Sequence, residues 1–233
     1  MLFAAMAVAV GPSVALAQPL TLASVQATNN WSGYVATNAY YTGVTALIQA
    51  PLPTTYQFLG TVGSWVGIGG SLSTDLIQAG VDEINQGPRV SYQAWYELLP
   101  APSRNIALDV QPGAWVLIDI HELAYNRWQI TIVNGTDVFQ QEFVYASSHS
   151  SAEWIVEEPA VVRGQTLQLL PLAGVTGANF TKMSAIANGK PALPVQLFPQ
   201  PLAIVAATSL RALPTSLGVD GASFSVATVG TPF

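Results

Sequence analysis

The chain has 233 residues, of which 50 % are apolar and only 9 % charged, against roughly 25 % charged in an ordinary soluble domain; that excludes a disordered polymer and suits one all-β domain, an architecture that reaches this length undivided. The net charge is −6, with just seven Lys and Arg scattered from Arg89 to Arg211, too thinly to neutralise a run of phosphates, so nucleic acid is excluded as a partner. There is no cysteine, which removes disulfides and thiolate metal sites.

In chain order, Met1 to Ala17 is almost wholly apolar and ends in Ala15-Leu16-Ala17 before Gln18, a small-x-small cleavage pattern that predicts a signal peptide although a basic leading segment is missing. The stretch is short for a membrane span of about 20 residues. The expectation is export of a monomer formed by residues 18–233, with no stable membrane association once the leader is removed. Once its 13 carboxylates protonate, such a chain has few charges left to repel one another, which suits an acid medium.

From Trp31 onward the sequence reads as short β-rich runs broken by Gly, Pro, Asn and Ser, without helical periodicity. Strands are predicted over 31–36, 44–50, 62–68, 76–81, 90–98, 106–110, 115–123, 127–133, 138–145, 152–156, 166–170 and 178–186, with weaker ones at 195–198, 202–206 and 223–229. Asn134-Gly135 fits a tight hairpin turn. The segment Gly189 to Pro201, with four prolines, is expected to be a loop or an edge strand. Such spacing argues for a two-sheet sandwich or barrel.

Side chains two apart on a strand share a face, so the polar residues can be sorted. Over 76–82 one face carries Ile77, Ala79 and Val81, and the other Leu76, Gln78, Gly80 and Asp82. Over 90–98 the polar, aromatic face carries Ser91, Gln93, Trp95 and Glu97; over 152–158 Glu153, Ile155 and Glu157 lie opposite Ala152, Trp154 and Val156. If these faces line one concave sheet, Gln78, Asp82, Glu97 and Glu153 form the floor of a cleft walled by Trp65 and Trp95, a shape suited to an extended polymer. An antiparallel sheet also turns a polar face to water for no functional reason.

Several separated strings resemble the glutamic peptidase family, the eqolisins. Asn30-Trp31-Ser32-Gly33-Tyr34 is similar to the family's NWSG or NWGG opening, Trp65-Val66-Gly67-Ile68 to WVGI, and Ile77-Gln78-Ala79-Gly80-Val81-Asp82 to LQTGVD. Tyr92 to Glu97 followed by Pro100 resembles YDAWYE and its proline, and Ala152 to Glu157 matches AEWIVE. The resemblance spans about Asn29 to Ala187. It implies an acid-acting, pepstatin-insensitive endopeptidase acting on polypeptides without cofactor or metal, on a lectin-like antiparallel β-sandwich of two roughly seven-stranded sheets. It implies Gln78 as the catalytic amide and Glu153, the first glutamate of AEWIVE, as the catalytic acid. Trp65, Asp82, Gln93, Trp95 and Glu97 are the supporting or substrate-binding residues. Gln93 stands where the family has Asp, Gly69 replaces the Asp of WVGIDG, and Leu98-Leu99 replaces an aromatic pair.

Hydrolysis without metal or covalent nucleophile needs a base for water, a donor for the oxyanion and an acid for the leaving amine. On this reading the Glu153 carboxylate takes the water proton and returns it to the amine, while the Gln78 amide donates to the oxyanion at any pH without repelling its partner.

Other chemistries fit less well. There are two histidines and no G-x-S-x-G elbow. His121-Glu122-Leu123-Ala124-Tyr125 lacks the second His of a zinc-peptidase helix, so His121 and His149 are expected at the surface or in packing. The rivals from other classes are a carbohydrate-binding sandwich whose tryptophans stack on sugars and a glycosidase using Glu97 and Glu153.

Overall fold

The computed structural model describes residues 18, 20–54, 59–164, 166–206 and 209–228; the expected leader, Met1 to Ala17, lies outside them. Strands in chain order are β1 (Gln26–Thr28), β2 (Trp31–Ala36), β3 (Tyr41–Gln49), β4 (Gly60–Gly69), β5 (Leu76–Asn85), β6 (Val90–Leu98), β7 (Arg104–Ile106), β8 (Trp115–Ala124) and β9 (Arg127–Asn134). They continue as β10 (Asp137–Val144), β11 (Ala152–Glu157), β12 (Ala160–Arg163), β13 (Thr166–Leu169), β14 (Ala178–Ala187), β15 (Lys190–Ala192), β16 (Gln200–Ala206), β17 (Ser209–Pro214) and β18 (Phe224–Thr228).

Most boundaries follow the alternation of apolar and polar residues, which fixes which side of a strand is buried. Gly135, at φ 62°, turns β9 into β10, whose register begins with Asp137 opposite Asn134. The proline-rich segment is divided between β15, a short 3₁₀ turn over Pro194–Leu197, where a weak strand was expected, and the start of β16. Strands β1, β12 and β17 are not foreshadowed by the sequence; all are short, and none carries a long alternating run, whereas β15 is the edge strand expected in the proline-rich segment.

The expected pair of separate seven-stranded sheets is not what the hydrogen bonding shows. One 16-stranded sheet runs β10-β9-β8-β3-β14-β18-β17-β16-β2-β11-β4-β5-β6-β7, with β1 added to β16 and β15 to β14; β12 and β13 form a hairpin of their own. The bridge between the two halves is β17, which pairs with both β16 and β18 and so makes the ladder continuous. Among the described strands all pairings are antiparallel except that of β1 with β16, and an isolated parallel bridge joins Thr61 to Leu172.

The ladder folds back on itself, so that β3 and β8 face β4, β5 and β11 across the interior. Between them lies the main core, with Ile48, Ile118, Ile120, Ile130 and Ile132 from one half and Val66, Ile68, Ile77, Val81, Trp154 and Val156 from the other. All are sealed from solvent, each contributing roughly 1.5–3 kcal/mol by leaving water. On the opposite face of β2, β11, β4, β5 and β6 a smaller cluster gathers Val35, Trp65, Leu76, Trp95, Ile155 and Leu202, with Trp31 and Leu99 packed against it.

Candidate active site

That second face holds the polar residues singled out by alternation. The register aligns Glu97, Gln78, Gly67 and Glu153 in one row across β6, β5, β4 and β11, and Gln93, Asp82, Gly63 and Glu157 in another. Between them run Trp95, Gly80, Trp65 and Ile155. Glycine is required at position 80: a Cβ there would lie 2.6 Å from Trp65 Cβ and 3.0 Å from Trp95 Cζ2, so the missing side chain lets the two indoles close over the strand.

A cavity of about 110 Å³ opens here, lined by Gly63, Gln78, Asp82, Trp95, Glu97, Ser103, Glu157, Pro159 and Ala160. It adjoins a wider cleft of about 560 Å³ that shares Gln78, Glu97, Ser103, Glu157 and Ala160 and extends to Asn30, Trp31, Leu76, Leu99, Pro100 and Val161. Gln78 Nε2 donates to Glu97 Oε2 at 2.6 Å, while Gln78 Oε1 is buried without a protein partner. The Trp95 indole donates to Asp82 Oδ1 at 2.7 Å.

Glu157 is the best-supported carboxyl of the group. Asn30 Nδ2 donates to its Oε1 at 2.9 Å and Trp65 Nε1 to its Oε2 at 2.7 Å, and the Trp31 indole donates to the same carboxyl group. Trp31 and Trp65 hold each other edge to face, with centroids 5.0 Å apart.

Among the described residues no cation lines the cavity, and three carboxyl groups meet there. Burial pushes Asp82 up to about 7, assisted by the charge of Glu97 and opposed by the Trp95 bond. Burial likewise pushes Glu157 up to about 8 against the two indole donors, with Asp82 and Glu97 adding to the rise. Glu97 is raised by burial, and its bonds from Gln78 and the Ser103 backbone oppose this. Such a cluster titrates as a unit and holds protons well above the usual carboxylate range.

Glu153 is where the structure departs from the sequence reading. It shares the face of Gln78 but is fully buried and lines neither of these two cavities. Gly67 lies between them in the sheet, and the space above it is filled: a Cβ there would meet Leu76 Cδ1 at 2.9 Å, Trp65 Cζ3 at 3.0 Å and Gln78 Cβ at 3.3 Å. An apolar roof thus separates the Glu153 carboxyl from the open site, and its burial raises it well above the usual range. The carboxyl that shares a cavity with Gln78 is Glu157, four residues further along the same strand face.

Other expected site residues sort as follows. Asp82, Trp95 and Glu97 line the cavity. Trp65 is fully buried, a donor beneath the site rather than a wall. Gln93 is turned to the backbone, donating to the carbonyls of Ala94 and Ile106 at 2.8 and 2.9 Å; it ties β6 to β7 and lines neither cavity. Leu99 borders the cleft. Asn30, Trp31, Ser103 and Glu157 had no role in the sequence reading, although Asn30 and Trp31 stood in a quoted motif and Glu157 shared a face with Glu153.

Both histidines belong to packing. His121 Nδ1 lies 2.7 Å from Asp119, and His149, buried and stacked on Tyr40, lies 3.0 Å from Glu122. Among the described residues no group of three or more His, Asp or Glu is arranged to hold a metal ion.

The sequence profile of the Peptidase A4 family matches residues 29–226. Among solved structures, the fold is similar to scytalido-glutamic peptidase bound to a transition-state analogue inhibitor, with a TM-score of 0.76 at 21 % identity over 86 % of this chain and 98 % of that one. It is also similar to SCP-B, an eqolisin in complex with the tripeptide Ala-Ile-His, with a TM-score of 0.72 at 20 % identity over 86 % and 98 %. Aspergilloglutamic peptidase from Aspergillus niger gives 0.63 at 24 % identity over 72 % and 99 %. No curated protein matches by sequence.

Proposed function

The chain belongs to the Peptidase A4 family, the glutamic-type endopeptidases, and we propose that it is exported and cleaves polypeptides in acid through a water held between the Gln78 amide and the Glu157 carboxyl. The observation that carries this reading is that these two groups line one cavity, whereas Glu153 is roofed over. The same roofing removes the basis for a Glu97 and Glu153 glycosidase pair.

The reaction runs in two proton transfers. Glu157, as carboxylate, takes a proton from the water while the water oxygen bonds to the scissile carbonyl carbon. The carbonyl oxygen becomes an oxyanion and receives an N–H from Gln78, a neutral donor that needs no protonation. The C–N bond then breaks as Glu157 returns its proton to the departing nitrogen, leaving a carboxylic acid and an amine.

The surrounding carboxyls favour cleavage in acid. An oxyanion forming beside ionised Asp82 and Glu97 would be repelled by both, so these two stay protonated in the reactive state; burial also holds a proton on Glu157, so the base is the minor form of the cluster that is short of one proton, with that charge on Glu157. Its three donors, Asn30, Trp65 and Trp31, favour the charge there. Burial strengthens Glu157 as a base once it is ionised.

The test is kinetic. Purified protein is incubated with denatured casein from pH 3 to pH 8, with and without pepstatin. Pepstatin-insensitive cleavage confined to the acid side, lost in Gln78→Ala and in Glu157→Gln, is the expected result. Cleavage that survives in Glu157→Gln refutes the assignment.

A further inference from the structure

A second cavity lies on the same face beyond Trp31, about 420 Å³ in volume, within the roughly 300–1,000 Å³ of ordinary small-ligand sites. Its apolar floor is Val35 and Leu202, both buried, and its sides include Thr28, Gln200 and Leu72. Trp31 lines this cavity and the cleft that contains Glu157, so the two spaces share one indole as their wall. Trp31 is also the direct β2 partner of Glu157 on β11, one strand spacing of about 4.8 Å away.

The two spaces differ in charge. Glu97 and Glu157 line the first, but among the described residues no Asp, Glu, Lys, Arg or His lines the second. An ionised side chain entering it would shed water over Val35 and Leu202 and find no counter-charge, which costs free energy. An apolar or aromatic side chain would gain by the same burial.

We propose that this cavity is a specificity subsite that takes an uncharged, preferably apolar, side chain of the substrate polypeptide, on one side of the cleaved bond and within about three residues of it, given a rise of about 3.3 Å per extended residue. The inference rests on the proposed cleavage at Gln78 and Glu157. The occupant is a residue of the substrate because the cavity adjoins, across the shared Trp31 wall, the cleft where the bond is broken.

The experiment uses quenched fluorescent peptides in pairs that differ by Leu or Lys at one position, scanned on both sides of the cleaved bond at about pH 5.5. At one position near the bond, kcat/KM for the Lys peptide should fall at least about tenfold below its Leu partner, one unit of about 1.4 kcal/mol. Gln200→Glu, a change at an exposed position, places a counter-charge at the edge and should narrow that ratio severalfold at that position alone. Equal cleavage of every pair, or a Leu-to-Lys ratio unmoved by Gln200→Glu, overturns the subsite. The same pairs are titrated by calorimetry against the Glu157→Gln variant, which reads the preference without turnover. Discrimination in binding with no cleavage by the wild type overturns the proposed function and leaves the subsite standing.

Discussion

Asn30 Nδ2 donates to Glu157 Oε1 at 2.9 Å, joining residues 127 positions apart in the chain. The bond connects the Asn30-Trp31 string to the end of the Ala152–Glu157 strand, and β2 and β11 are paired so that Trp31 lies opposite Glu157. An amide donor and two indoles converge on one carboxyl group, which orients it and favours its ionised form against the cost of burial.

Removing that amide should act on ionisation rather than on folding. Asn30→Ala is expected to lower kcat about tenfold and to move the acidic limb of the pH–rate profile upward by about one unit, the worth of one charge-assisted hydrogen bond. The profile of kcat against pH, with KM measured alongside, checks this; an unmoved acidic limb would reduce Asn30 to a packing role.

The two glutamates of β11 should behave oppositely. Glu157→Gln is expected to lose activity by about a hundredfold or more, the usual scale for a general base, whereas Glu153→Gln, which keeps the shape of a buried group separated from the cleft, should retain most of it. Steady-state kinetics on both variants, with circular dichroism to establish folding, makes the comparison.

Stability should fall as pH rises. Asp82 at about 7 and Glu83 and Glu157 at about 8 are held above their unfolded values by burial, and Glu153 is raised as well. The folded chain therefore keeps protons that the unfolded chain releases, so this contribution is fully present below about pH 4 and is lost through pH 7 to 8. Each such proton is worth about 1.4 kcal/mol per pH unit between the two titrations. Thermal melts should show a Tm lower by at least about 5 °C at pH 8 than at pH 5, and Glu153→Gln should flatten the slope. A Tm that rises over this range contradicts the account.

Gly80→Ala tests the closure of the two indoles. The added methyl would press on Trp65 Cβ and on the Ser64 carbonyl, each 2.6 Å from the Cβ position, and is expected to cost about 1–3 kcal/mol by overpacking. Urea unfolding followed by tryptophan fluorescence measures it.

Period-two alternation was enough to place Leu76, Gln78, Gly80 and Asp82 on one face and Ile77, Ala79 and Val81 on the other, and the buried cluster has that second set. It could not show that β17 welds both halves into one ladder, because Ser209–Pro214 is short and its partners lie far off in sequence. Nor could it choose between Glu153 and Glu157, which share a face by the same rule.

Composition and alternation by themselves determined that this chain is all-β, poor in cations and faced on one side with carboxyls and amides, because the pleat assigns each side chain to a face from local sequence alone. The family strings added where catalysis would be sought. What covers a face is decided by residues from other strands: Leu76 and Trp65 close over Gly67 and shut Glu153 away, while Asn30, Trp31 and Trp65 converge on Glu157 and leave it open to Gln78. Only the tertiary structure, which brings these distant residues into van der Waals and hydrogen-bonding contact, determines which glutamate shares a cavity with Gln78.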